Sequence, residues 1–346
     1  GIRRFASMPA YFSERSCRQG RKRTMNRRHP PVHAAEPTEV CEDLAYYLGP
    51  LHRHFGHAVV ESSTRLWFYP QARCLAAQGR LPLVVMPPAD TPEHLRRFEV
   101  GDLADWQRAL LELYGVAPEA VRFVRAPVRY RRLIVPAQAW LWGGRPARRA
   151  AAASSPPSPL RSGDELQDAR RGATGRIYLV RGPELFWRGA VAGEQVVREF
   201  FRAHGYLLFD PLSVPLARQV AVLQRASHVF GVQGSGFHLF NLAGNTTVSV
   251  GCLGRLGAKA SRSFSGSLEP FVGRFLLQSP DSADASQDPS RSATKYRLAL
   301  HLDVSRLLSF LTTFDPDLRV ERFDQRAYAL AIAADRERYR RGDDSP

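Results

Sequence analysis

Residues 205–236 read GYLLFDPLSVPLARQVAVLQRASHVFGVQGSG. GYLLFDP and HVFGV are short apolar runs bounded by Gly, Asp and Pro, which predicts two strands. Between them, SVPLARQVAVLQRAS (213–227) puts Leu216, Val220 and Leu223 on one helical face, with Ser213 as the expected cap. Strand, helix and strand in so short a span is the unit that builds a parallel sheet. Working back, GEQVVREFFRAHG (193–205) is an amphipathic helix with Val196, Val197, Phe200 and Phe201 inward and Gly205 at its end, and RIYLV (176–180) is a strand. Working forward, GSGFHLFNLAG begins another helix and TTVSVGCL is the next strand. The alternation predicts an α/β fold with helices covering a parallel sheet.

GVQGSG falls where a strand ends and a helix begins, the place where open α/β sheets bind ligands. Two readings stay open. The glycines either let an anion approach the first free N–H groups of the helix, with Ser235 and His238 adding donors, or they only pack a tight turn. The spacing is G-x-x-G-x-G and no acidic residue lies between Gly236 and Glu269, so a dinucleotide fingerprint is absent. No Lys follows the glycines, which excludes a P-loop.

The remaining sequence divides into segments. Residues 1–37 read as a disordered basic leader: residues 1–33 hold nine Arg or Lys against Glu14, a local net of +8 in a chain of net +16. Residues 38–142 form a first α/β domain. Within it LPLVVMPP (81–88), VRFVRAP (121–127) and RRLIVP (131–136) are strands, and DLADWQRALLELYG (102–115) is a helix capped by Asp102 and ended by Gly115. Residues 143–174, rich in Gly, Ala, Ser, Pro and Arg, are a linker. Residues 175–275 form the second, Rossmann-like domain. Residues 276–346 are a loose polar loop followed by helices, HLDVSRLLSFLTTF with Asp303 at its start and then 323–341.

The 346 residues suit two domains, and 44% apolar content supports a sizeable core. Cys17, Cys41, Cys74 and Cys252 form no CxxC pair, which fits reduced thiols in a cytoplasmic protein. No apolar run approaches the roughly 18–20 residues that span a bilayer. The base is almost entirely arginine, with only Lys22, Lys259 and Lys295 as lysines. Half of the excess charge sits in the leader and no aromatic-basic module accompanies it, so nucleic acid is an unfavoured partner. The leader is itself a candidate contact for an anionic membrane.

Two clusters carry candidate chemistry. His57 and Glu61, four apart, share a helical face, so the carboxylate can orient the imidazole as a base; an ordinary surface contact has the same spacing. His52 and His54 lie nearby, but H-x-H-x-x-H matches no defined metal spacing, and no metal is expected. Arg181 ends a strand and Arg188 lies in the loop after it. Both can pair with phosphate oxygens or lie solvated on the surface.

An ordered set of motifs resembles glycosyltransferase family 61, in particular its bacterial branch. Gly56, His57, Glu61, Arg65, Leu66 and Trp67 resemble the G-H-F-x-x-E-x-x-x-R-L-W signature; LLELYGVAPEAVRFVRAPVRYRRLIVP follows its next stretch. Ile177 to Arg181, Arg188 and Glu194 resemble I-Y-h-x-R … R … N-E, and residues 205–236 follow the run that ends in G-x-H-G-A-G. The resemblance covers roughly residues 45–255. It implies a GT-B-like fold, two Rossmann-like domains facing across a cleft. It implies an inverting hexosyl- or pentosyltransferase that moves a sugar from a nucleotide-sugar donor to a glycan acceptor in bacterial capsule or lipopolysaccharide synthesis, in the cytoplasm or peripheral at the inner membrane. The nucleotide-sugar is a co-substrate and no cofactor is implied. The donor site would comprise Arg181, Arg188, Gln233, Gly234, Ser235, Gly236 and His238, and the catalytic pair would be His57 and Glu61. The family pattern has His at Gln233, Glu near Ser249 and Asn at Gly193. These departures suit the alternative of a catalytically degenerate GT-B-fold binding module.

Overall fold

The computed structural model describes residues 37, 39–86, 99–124, 126–136, 175–181, 191–255, 258–279 and 301–341. The basic leader up to residue 36, the linker at 143–174, most of the polar loop at 279–294 and Arg188 lie outside the described residues. The chain separates into two compact units, Gly1–Arg145 and Pro146–Pro346. Both are mixed α/β with parallel sheets.

The first unit holds a four-stranded sheet. Strands β1 (Glu39–Pro50), β2 (Leu83–Met86), β3 (Val121–Phe123) and β4 (Val128–Ile134) lie in the order β3-β2-β1-β4, every pair parallel. Helix α1 (Asp105–Leu113) buries Gln107, Leu110 and Leu111. β2, β3, β4 and α1 were legible as apolar runs; β1 was not. Its first half, EVCEDL, is mostly exposed and pairs only with β4, from Glu39 opposite Val128. Its second half is buried between β4 and β2, with Tyr46 opposite both Ile134 and Leu83. Irregularities at Cys41/Leu44 and at Tyr47/Gly49 break the alternation that would announce a strand. Asp102 does not cap α1 as expected. It accepts the Glu99 N–H at 2.7 Å in a preceding turn, while the Gln107 side chain closes back on Ala104 N at 2.9 Å. The helix starts later because Leu103 is drawn into the core.

The second unit is built on strands β5 (Arg176–Leu179), β6 (Leu207–Phe209), β7 (His228–Val232), β8 (Ser249–Leu253) and β9 (Arg274–Gln278). Their order is β6-β5-β7-β8-β9, all parallel. Helices α2 (Glu194–Ala203), α3 (Leu216–Arg225) and α4 (Ala258–Leu268) lie in the crossovers, and α5 (Val304–Phe314) and α6 (Gln325–Arg341) follow the sheet. In strand number within the unit this is 2-1-3-4-5, a doubly wound order in which β5 and β7 flank the point where the winding reverses. Alternation along the strands sends Tyr178, Phe230 and Val232 into one aromatic cluster with Phe201 of α2 and Phe314 of α5. The Phe201 and Phe230 rings stack with centroids 4.2 Å apart, and Phe314 meets Phe230 at 5.2 Å. Asp303 caps α5 by accepting Ser305 N at 2.9 Å, as its sequence suggested. Ser213 does not cap α3. Its hydroxyl donates to Asp210 O at 2.7 Å, and α3 begins at Leu216 after Pro215, whose ring cannot continue a helix backward.

The aromatic packing demands a glycine on β8. A Cβ added at Gly251 would sit 2.6 Å from Phe230 Cδ2 and 2.7 Å from Phe314 Cδ2. Gly251→Ala is expected to destabilise the second unit by about 1–3 kcal/mol through overpacking. The measurement is the thermal or urea midpoint, and an unchanged midpoint would show that the aromatic cluster yields without cost.

Candidate functional site

In the first unit the chain leaves the carboxyl end of β1 and enters a continuous helical run. One α-turn (Phe55–His57) passes into a π-turn (Ala58–Ser62) and then a 3-10 segment (Ser63–Phe68). A π-turn inside a helix shifts the side chains after it and is frequent at functional sites. The run is tied to β1 by the Ser62 hydroxyl donating to Pro50 O at 2.7 Å and by Tyr46 donating to Arg65 O at 2.5 Å. Arg65 Nη1 in turn reaches Leu48 O at 3.4 Å and Glu61 O at 3.3 Å. Burial lowers the pKa of its guanidinium, but an arginine stays protonated near neutrality all the same, and Arg65 braces the run as a cation. Trp67, half-buried, rests beside Phe68 as part of the wall.

These ties place Glu61 between two histidines. Its Oε1 lies 2.5 Å from His57 Nδ1 and its Oε2 lies 3.4 Å from His52 Nε2. The His52 and His57 rings are 5.5 Å apart, and the exposed His54 meets His57 edge-on at 5.2 Å. Glu61 is mostly buried, with 16% of its side chain exposed. Burial pushes its pKa up, but the hydrogen bonds and charges of His52 and His57 outweigh that and hold it well below the usual carboxylate range. The structure thus brings together His57 and Glu61, which sequence spacing paired, and adds His52, which spacing could not connect. Among the described residues, no group of three His, Cys, Asp or Glu is arranged to hold a metal.

The second cluster lies at the carboxyl edge of the second sheet. Val180 and Arg181 follow β5, while Gln233, Gly234, Ser235 and Gly236 follow β7. These are the two strands that flank the reversal of winding. A Cβ built at Gly234 would sit 3.7 Å from both Cδ and Nε of Arg181, so the arginine stem lies along the glycine backbone. Gly234, Ser235 and Gly236 are partly exposed, whereas Gln233 and Phe237 are buried. Gly234 has extended backbone at φ −168°, which any residue adopts, and an added Cβ would meet its neighbours only at 3.7 Å. The helix expected to start at GSGFHLFNLAG is present only as short turns. A five-residue 3-10 segment, Ser235–Leu239, leads into the four-residue turn Phe240–Ala243 and stops at Gly244. Phe237 N already binds Gly234 O at 3.2 Å. The macrodipole of so short a piece is small, and the useful donors are the first N–H groups of the turn. His238 is 8% exposed and packs edge-on against Phe264 at 5.3 Å.

Gln233 is 1% exposed and tightly bound on three sides. Its N donates to Leu253 O at 2.8 Å, its Oε1 accepts Arg255 N at 3.0 Å, and its carbonyl accepts Arg255 Nε at 2.5 Å. Its Nε2 meets no hydrogen-bond partner among the described residues. Arg255, at the carboxyl end of β8, was not singled out from sequence; a basic residue just after an apolar strand run was the available signal. Glu194, at the amino end of α2, is also drawn into this edge. Tyr178 donates to its Oε1 at 3.3 Å. Burial raises its pKa, partly offset by the charge of Arg181.

The family model for Glycosyltransferase 61 matches residues 55–249, more than half of the chain. No curated protein sequence matches it. The matched span begins at the turn that carries His57 and ends at the first residue of β8.

The Glu61 cluster predicts a pH-dependent contribution to stability. A carboxylate whose folded pKa is depressed stabilises the fold above its ordinary pKa of about 4.5, and that contribution is lost as pH falls below it. Glu61→Gln is therefore expected to lower the urea midpoint at neutral pH, by about 1–3 kcal/mol in stability, and to converge with wild type as pH drops below that value. A pH-independent difference would assign the loss to packing instead.

Proposed function

Because the chain belongs to the glycosyltransferase 61 family, we propose that it is an inverting transferase moving a hexose or pentose from a nucleotide-sugar to a glycan acceptor. A family of this kind implies a donor and an acceptor. The observation that carries the finer reading is the pairing of Arg181 with the Gly234 backbone at the reversal point of a 2-1-3-4-5 sheet. There the Arg181 side chain lies beside the partly exposed turn that opens at Gly234, and a guanidinium with backbone N–H groups is the chemistry that a departing diphosphate requires. Arg188, Gln233, Ser235 and His238 are proposed to complete that donor site.

The base is assigned to His57. With Nδ1 engaged by Glu61, its Nε2 takes the proton from the acceptor hydroxyl. The acceptor oxygen then bonds to the anomeric carbon from the face opposite the diphosphate. The anomeric C–O bond breaks with its electron pair on the phosphate, which Arg181 neutralises. Glu61 stays ionised and stabilises the imidazolium, the division of labour in Ser-His-Asp sites. This reading includes a GT-B arrangement with the two units facing across a cleft. It also includes membership of the bacterial branch, a role in capsule or lipopolysaccharide assembly, and a cytoplasmic position at the inner membrane with the basic leader as its contact. Among the described residues no helix is long and apolar enough to cross a membrane.

The competing reading, a degenerate binding module, draws on Gln233 and Ser249, which stand where the family pattern has His and Glu. Turnover decides between them. A panel of UDP-, GDP-, CMP- and dTDP-sugars is screened by thermal shift and then by nucleotide release. Arg181→Ala is expected to weaken nucleotide binding by about 10- to 100-fold in calorimetry, the loss of a charged hydrogen-bond pair. Unchanged affinity would remove Arg181 from the site. His57→Ala is expected to abolish transfer while leaving nucleotide affinity within error, and a parallel loss of both would refute its role as base.

A further inference from the structure

The imidazole of His52 lies on the opposite carboxylate oxygen of Glu61 from His57, and its backbone is anchored in the core. Its carbonyl accepts Gln107 Nε2 at 3.1 Å; Gln107 is 2% exposed, and its other amide atom accepts Ala104 N at the start of α1. The residue before it, Leu51, is buried and donates its N–H to Met86 O at the end of β2 at 3.4 Å. His52 is thus fixed by β2 on one side and α1 on the other. A glutamate's last torsion is broad, so a carboxylate held at one oxygen can swing about its axis. His52 Nε2 lies 3.4 Å from Oε2, a longer ion-pair contact than the 2.5 Å hydrogen bond at Oε1, and it restrains that swing and with it the direction of the hydrogen bond to His57.

We propose that His52 is a positioning residue for the transfer reaction: it pins Glu61 so that the carboxylate presents Oε1 to His57 Nδ1 and leaves His57 Nε2 as the acceptor-facing base. The assignment rests on the reading of His57 as that base. To donate to Oε2, His52 must carry a proton on Nε2. Gln107 extends the device, because the amide that closes the first turn of α1 also holds the His52 backbone. The anchor is therefore shared with the fold, while the imidazole contact is specific to the site.

The contact is made by Nε2, which gives a sharp test. A glutamine amide nitrogen reaches the place of a histidine Nε2, whereas an asparagine reaches only that of Nδ1. The full chain is labelled with 15N-histidine. The Nδ1 proton of His57 is identified as the downfield imidazole resonance that disappears in His57→Gln. That resonance is expected to keep its position in His52→Gln and to move upfield in His52→Asn and His52→Ala. With whichever sugar of the UDP-, GDP-, CMP- and dTDP-sugar panel the wild type turns over, kcat is expected to fall about 10- to 100-fold in the Asn and Ala variants at unchanged donor KM, and to stay near wild type in His52→Gln. Equal loss in all three variants, or wild-type behaviour in all three, overturns the proposal. If no donor is turned over, the transferase reading fails, and the resonance alone still decides whether His52 positions the pair.

Discussion

The second unit depends on the stacking of Phe230 between α2 and α5. Phe201 lies flat on one side of the ring and Phe314 tilts against it from another, with Gly251 on β8 leaving the space. A parallel sheet has no hairpins to set its register, so packing on its faces must do so. Burying the Phe230 side chain contributes roughly 1.5–3 kcal/mol, and the aromatic geometry adds to that. The consequence reaches the functional edge. Three residues beyond Phe230 the chain emerges as Gln233, at a height fixed by the ring, and Gln233 is then locked to Leu253 and Arg255 on the neighbouring strand. Gly234 to Gly236, partly exposed, follow directly on this buried and hydrogen-bonded residue.

The two units carry different chemistry. The second offers backbone N–H groups and guanidinium at a strand reversal, which suits a permanently negative group. The first offers one carboxylate shared by two imidazoles, which suits a proton that must move. Glu61 remains ionised near neutrality, held so by its two partners against the effect of burial. Burial acts differently on the two clusters: it disfavours a guanidinium's charge, whereas the hydrogen bonds of two imidazoles keep the Glu61 carboxylate ionised against it.

How far this could be read from sequence depended on whether a feature was local. The βα alternation of the second unit was legible because each element has one buried face with its own period, as in SVPLARQVAVLQRAS followed by HVFGV. Helix starts were less so. Asp102 and Ser213 have the right chemistry for caps, but core packing of Leu103 and the placement of Pro215 moved both helix starts inward. β1 was hidden because its two halves face different environments and two bulges scramble its period. In the site, the His57–Glu61 pair was legible because four residues close one helical turn. His52 and Arg255 were not. One joins Glu61 across a non-helical corner, and the other meets Gln233 only through pairing of β7 with β8.

Gln233 shows what a change from imidazole to amide does at a buried strand end. A histidine there would add positive charge on protonation; an amide donates a hydrogen bond but never carries charge. Gln233 spends its oxygen on Arg255 N, which orients Nε2, and that nitrogen meets no partner among the described residues at 1% exposure. A buried donor left unpaired costs about 1–3 kcal/mol, so the arrangement persists only if something offsets it. Arg255 closes on this residue twice: its backbone N–H donates to the Gln233 side-chain oxygen, and its Nε donates to the Gln233 main-chain carbonyl, an acceptor that any residue at 233 would offer. Arg255, two residues beyond β8, is a group that stays protonated at any working pH. The Arg255 guanidinium is thus held at this edge by the backbone of residue 233, while the amide side chain fixes only the Arg255 main chain.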